Sequence, residues 1–186
     1  MTKFKMKINT PLIEELIILV MGPLFQVIAY YLLINIFKEV ELIKMYHLGI
    51  LSFNLLPVYP LDGGRILNLL INKKYPFYKS FEISIIISYL IVIIILFTNI
   101  KIGINIIIIE VFLILLIHKE EKKKEIYFQK FILERYFNNL NYKKSIMINN
   151  IKKLYKYRTN YIKIGKNIYT EKDYIALNYQ IFNKNC

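Results

Sequence analysis

The sequence predicts a mainly α-helical membrane protein. It has about four membrane helices, one of them broken at a proline and Asp-Gly-Gly motif, and a small cytosolic α+β tail. Three observations predict this. First, 56% of the 186 residues are hydrophobic while the formal net charge is +13, a combination that one soluble globule does not accommodate. Second, the two classes are segregated: the long apolar runs lie before about residue 118 and most of the lysine lies after it. Third, one apolar stretch, Asn54-Leu55-Leu56-Pro57-Val58-Tyr59-Pro60-Leu61-Asp62-Gly63-Gly64-Arg65, holds groups that a plain membrane crossing does not need. The expected division is a membrane domain over 1–118 and a basic cytosolic domain over 119–186.

The first span runs from about Ile13 to Phe37, with Glu14 and Glu15 at its entrance and Gly22-Pro23 inside. It is long enough for a hydrocarbon core of roughly 30 Å. Membrane helices tolerate both Gly and Pro, so the pair reads as a packing notch with a kink. Residues 38–44 read as a short mixed loop. The second span starts near Tyr46 and passes through the broken stretch to about Ile71; His47, at its edge, reads as an interfacial side chain. A charged loop with Lys73, Lys74, Pro76 and Lys79 follows. The third span, about Phe81 to Phe97, carries Ser84, Ser88 and Tyr89 among isoleucines. After a turn around Gly103, the fourth span covers about Ile104 to Ile117 and is short for a crossing.

His118 opens a charged, amphipathic helix that runs through Leu133. Tyr161-Ile162-Lys163-Ile164, Gly165-Lys166-Asn167 and Ile168-Tyr169-Thr170 have the alternation and turn chemistry of a hairpin. Residues 171–182 read as a closing helix. The tail's aromatic residues are spaced as a core, so its basic charge reads as a solvated face or an attraction to the anionic inner leaflet, and no nucleic acid is expected. Cys186 is alone, which excludes an intrachain disulfide and a cysteine-based zinc site.

The broken stretch carries the chemistry. Pro57 and Pro60 lack N–H donors and leave unwound backbone between them. At membrane depth such backbone is tolerated only where it is buried in protein or lines a wet cavity. A carboxylate there costs on the order of 2.5 kcal/mol or more unless it is paired or bound. Two readings stand. Either the break points Asp62 into a polar cavity where it binds a cation, or Asp62 caps a helix from about Gly63 to Asn72, helped by Arg65.

The motif Asn54-Leu55-Leu56-Pro57-x-x-Pro60-Leu61-Asp62-Gly63-Gly64-Arg65 closely resembles the second signature of the site-2 proteases, which are intramembrane zinc metalloproteases. The sporulation branch is the nearest in pattern. Pro11-Leu12-Ile13-Glu14-Glu15-Leu16 through Gly22-Pro23-Leu24 is similar to that branch's third membrane helix. The tail is similar through Ile132-Leu133-Glu134-Arg135-Tyr136, Tyr157-Arg158 and Thr170-Glu171. The resemblance implies that Asp62 is the third zinc ligand, supported by Gly63 and Gly64. It implies that Asn54 and the backbone near Pro57 and Pro60 hold substrate as an extended strand. Three protein ligands leave zinc a position for a water whose pKa falls to near neutral. The implied partners are the lipid bilayer, a membrane-tethered substrate such as a pro-sigma factor during sporulation, and a nucleotide at the tail.

The departure from the family is equally plain. The other two ligands and the catalytic glutamate come from a His-Glu-x-x-His helix. His47 and His118 are the only histidines, and neither begins such a motif. No catalytic residue is therefore assigned in this chain, which lines up with the family from the third membrane helix onward. By itself it is expected to hold no stoichiometric zinc and to cleave nothing. Two alternatives remain open: an inactive membrane remnant or regulator that binds partners without cleavage, and a small ion-coupled transporter with Asp62 as its ion site.

Lysine placement predicts orientation in the cell membrane. The basic tail, Lys73, Lys74 and Lys79, and Lys3, Lys5 and Lys7 fall inside, while Lys38, Lys44 and Lys101 fall outside. Both termini are then cytoplasmic. A reporter fused after Cys186 should be active only in the cytoplasm, and activity confined to the external side rules the orientation out.

Overall fold

The computed structural model describes residues 8–36, 40–99, 104–138, 140 and 142–184. Lys3, Lys5, Lys7, Lys38, Lys101, Gly103 and Cys186, used above for orientation and for a turn, lie outside these residues. The described chain is mainly helical: α1 (Leu12–Ile36), α2 (Val40–Leu55), α3 (Asp62–Asn72), α4 (Phe77–Asn99), α5 (Ile104–Lys122), α6 (Lys124–Phe137) and α7 (Glu171–Lys184). Three strands, β1 (Ser145–Ile148), β2 (Thr159–Ile164) and β3 (Asn167–Thr170), lie between α6 and α7. The chain divides into two compact units. One comprises 12–70 and 82–122; the other comprises the described residues of 1–11, 71–81 and 123–186.

Helix α1 and the stretch Phe77–Thr98 of α4 are long and apolar enough to cross a membrane. Glu14 and Glu15 sit in the first turn of α1, where the helix dipole favours negative charge. Pro23 lies inside that helix, as the tolerance of membrane helices allows. Only Leu19 of α1 is buried, and large apolar side chains such as Ile17, Phe25, Leu32 and Ile36 face outward. Water does not support an apolar surface of this extent, whereas lipid or further helices do.

The loop expected over 38–44 is corrected in its second half: α2 already begins at Val40. No Gly or Pro interrupts 40–48, and Glu41 and Lys44 are good helix formers, so charge alone does not end the helix. The break falls where the prolines require it, at residues 56–61, which carry no helix. Residues 104–122 form one continuous helix, so the charged segment opening at His118 is the end of α5, and α6 starts after it.

The second unit packs around Phe77, Phe128, Phe131, Ile148, Leu154 and Ile162. Phe77 stacks on Phe131 with centroids 4.2 Å apart and rings 6° from parallel, and its N–H donates to the Leu154 carbonyl at 2.9 Å. The expected hairpin is present, with β2 and β3 antiparallel and Ile162 opposite Tyr169. Gly165 has φ 59° at its turn, which suits the first central position of a type II′ turn. The sequence reading lacked β1. It has four residues, pairs parallel to β2 and needs a long connection, so no local turn announces it.

The tail segments that carried the resemblance meet at Arg135, whose side chain is fully buried. Its Nε and Nη2 donate to the Glu171 carboxylate at 2.5 and 2.7 Å. Nη1 and Nη2 also donate to the carbonyls of Lys156 and Arg158. Glu171 Oε1 accepts in turn from the Asn160 amide and side chain. Burial pushes the nearby Tyr142 hydroxyl above its ordinary pKa, an effect that the Arg135 charge partly offsets. Removing one partner of such a pair strands the other. Arg135→Ala should therefore cost about 3–5 kcal/mol. In the full chain this is read as lost hydrogen-exchange protection of β2 amides; unchanged protection would show that the hub is not needed.

Candidate functional site

The site is built from the break between α2 and α3. Its N–H groups are few, because Pro57 and Pro60 have none. Leu56 N–H bonds to the Phe53 carbonyl at 3.2 Å, Val58 N–H to Leu56 at 2.7 Å and Leu61 N–H to Val58 at 2.8 Å. Tyr59 N–H reaches out of the loop and donates to Ser88 Oγ on α4 at 2.7 Å. The Tyr59–Pro60 peptide is cis. Val58, within the loop, is fully buried.

Helix α3 then starts at Asp62 and is pressed onto the loop by two glycines. A Cβ at Gly63 would overlap the Leu55 carbonyl, and one at Gly64 would overlap the backbone of Val58 and Tyr59. These are backbone obstacles that cannot rotate away, so only glycine fits. Asn68, further along α3, donates from Nδ2 to Ser84 Oγ at 2.9 Å. Arg65 N–H bonds to the Leu61 carbonyl at 3.0 Å, closing the first helical turn.

The Asp62 carboxylate faces α1. A Cβ built at Gly22 would lie 3.3 Å from Asp62 Oδ2, with no other such neighbour within 4 Å. The two segments that carried the family resemblance, Gly22-Pro23 and Asp62-Gly63-Gly64, are thus brought together. Among the described residues nothing donates to the Asp62 carboxylate, and Arg65, an exposed residue, forms no ion pair with it. Asp62 is the first residue of α3 and not the cap before Gly63 that the capping reading had, because the Leu61 carbonyl accepts the Arg65 N–H; the help from the Arg65 side chain is not there either. Asn54 lies in the last turn of α2 and is half-buried; Pro57 is exposed and Pro60 half-buried, both in the loop.

The two histidines have neighbours of their own. Tyr30 of α1 stacks on His47 of α2 at 4.6 Å, and Gln26 donates to the His47 carbonyl at 3.4 Å. His118 is exposed, 3.8 Å from Glu121. Among the described residues there is no group of three His, Cys, Asp or Glu side chains able to hold a metal. Asp62, an acid without a partner among the described residues, fits one corner of a zinc site; those residues do not supply the rest.

One residue of interest was missed in the sequence. Glu110 lies on the inward face of α5 with Leu113 and Ile117, is 2% exposed, and its Oε1 has no partner among the described residues. The signal was available: a lone acid inside an isoleucine-rich run incurs the same cost as Asp62.

Residues 34–98, which hold the whole loop, α3 and the α4 serines, match the family model of Peptidase family M50. The chain is 34% identical over 140 residues to stage IV sporulation protein FB of Bacillus subtilis, covering 69% of this chain and 48% of that protein. The chain belongs to the M50 peptidases, the site-2 protease family. It is also 32% identical over 71 residues to a zinc metalloprotease of Methanocaldococcus jannaschii, covering 37% of this chain and 21% of that protein. The chain thus spans about half the length of the first relative and about a fifth of the second. Membership of a site-2 protease family and the two apolar helices agree on a membrane setting.

The glycines give a direct test. Gly63→Ala and Gly64→Ala should each destabilise the detergent-solubilised chain by about 1–3 kcal/mol, the usual range for overpacking. Gly49→Ala, inside α2 where a Cβ meets nothing within 4 Å, should not destabilise it and gains up to about 1 kcal/mol of helix propensity. Equal thermal midpoints for all three variants would refute the close approach.

Proposed function

We propose that this chain forms the Asp-Gly-Gly side of an intramembrane zinc metalloprotease site. Asp62 is the ligand it contributes, and the loop around Asn54, Pro57 and Pro60 is the cradle for a substrate strand. The observation that carries the reading is the Asp62 carboxylate, unpartnered among the described residues and turned toward Gly22. A carboxylate kept at membrane depth calls for a cation, and an oxygen donor suits zinc. The unwound loop supports the second half of the proposal, because a peptide bond shielded within a helix is closed to attack. The substrate class is a membrane-associated precursor such as a pro-sigma factor, with a role in sporulation. The proposed arrangement is four crossings, both termini cytoplasmic, with 1–118 in the membrane and 119–186 a regulatory domain.

A second reading draws on the ligand count. With Asp62 as its one assigned ligand and no His-Glu-x-x-His in the sequence, the chain by itself would bind partners and cut nothing. The ion-coupled transporter is disfavoured because it leaves Gly63, Gly64 and the prolines without a role. Nucleotide binding at the tail is not part of the proposal. A tail cavity lined by Ile146, Ile148, Lys153 and Lys163 holds about 410 Å³, a size that small-molecule sites reach; the cleft beside Arg135, Thr159, Asn160 and Glu171 is smaller, about 230 Å³. Its guanidinium is also already engaged.

The test supplies a His-Glu-x-x-His helix ahead of residue 1 and measures bound zinc and cleavage of a membrane-tethered precursor. Both should appear, and Asp62→Asn should weaken zinc binding at least tenfold and abolish cleavage. Undiminished zinc and cleavage in that variant would remove Asp62 from the mechanism. Without the added helix, one tightly held zinc per chain would contradict the single-ligand account.

A further inference from the structure

We propose that Ser88, oriented by Ser84, is a positioning residue that sets where Asp62 presents its carboxylate; this rests on the reading of Asp62 as the working acid of the site. The two serines lie one helical turn apart on α4 and are buried at 0% and 1% exposure. Packing alone would be served by alanine, and a hydroxyl at membrane depth needs partners to offset its desolvation. Both serines have them.

The direction of each bond is what matters. Ser88 donates its hydroxyl proton to the Ser84 carbonyl at 2.7 Å. That bond turns the Ser88 oxygen into a fixed acceptor, and the Tyr59 N–H takes it at 2.7 Å. The N–H groups of Leu56, Val58 and Leu61 close turns within 53–61, so they shape the loop without tying it to α4. Ser84 Oγ receives Asn68 on α3 at 2.9 Å. Thus α4 holds the chain three residues before Asp62 and the helix six residues after it. Gly63 and Gly64 leave no slack between these points, because the backbone there is already in contact. Loosening the Tyr59 tie therefore shifts the start of α3 and swings Asp62 away from Gly22.

A disulfide reports that geometry. In the full chain with Cys186→Ser, Gly22→Cys and Asp62→Cys place two thiols where a Gly22 Cβ and Asp62 Oδ2 lie 3.3 Å apart. The rate of oxidative crosslinking in membranes is then compared for Ser88, Ser88→Thr and Ser88→Val. Thr and Val have nearly the same shape, but only Thr keeps the hydroxyl. Thr should crosslink within about twofold of Ser, and Val about fivefold more slowly, the scale of one lost hydrogen bond. Hydrogen exchange of the Tyr59 amide should rise in Val and not in Thr. Equal rates for Thr and Val, or Val as fast as Ser, overturn the proposal. If Val does not accumulate, Ser84→Ala, which leaves the Ser84 carbonyl in place, tests the Asn68 tie in the same assay and must also slow crosslinking. No metal enters the measurement, so a failure here leaves the zinc reading standing, and a failure of the zinc reading leaves this result untouched.

Discussion

The backbone contact of Gly63 and Gly64 with Leu55 and Val58 is the constraint on which the site depends. A chain that leaves one helix and enters another six residues later can take many paths. Here the second helix starts so close to the end of the first that no Cβ fits at either position. The prolines remove two donors from the loop, the remaining N–H groups bond to the carbonyls of residues 53–58 or to Ser88, and Asp62 sits directly before the two glycines that make the contact. Its carboxylate faces the one residue of α1 that offers no side chain, Gly22. Each element would be costly alone in a membrane, and together they make one acid available.

Availability is the property that separates the two readings of Asp62. A helix-capping acid is held by local N–H groups or by a cation one turn on. Asp62 has the helix-start position, yet among the described residues it has no such partner. The family match over 34–98 covers the loop and its serine anchor, so the resemblance and the geometry converge on the same residues.

Much of this was legible because the signals are local. Pro57, Pro60, Gly63 and Gly64 mark the break and the restart of the helix by their own backbone chemistry. The hairpin was equally readable from Gly165 between two alternating strands. What escaped were relations across distance in sequence. The parallel pairing of Ser145–Ile148 with Thr159–Ile162 has no turn to announce it. Ser84 and Ser88 looked like polar interruptions of α4, and only the fold shows that they face Asn68 and Tyr59. Gly22 read as a notch, whereas its neighbour is an oxygen of Asp62. The helical start at Val40 was hidden by charges that end a hydrophobic run without ending a helix.

The central claim is that Asp62 is turned inward to meet a metal. Its most direct test is an anomalous diffraction map at the zinc edge, taken from protein assembled with a His-Glu-x-x-His helix. The account predicts a zinc peak about 2.0–2.2 Å from an Asp62 carboxylate oxygen, on the side facing Gly22. A zinc ligated wholly by other residues, with Asp62 paired to Arg65 instead, would contradict it.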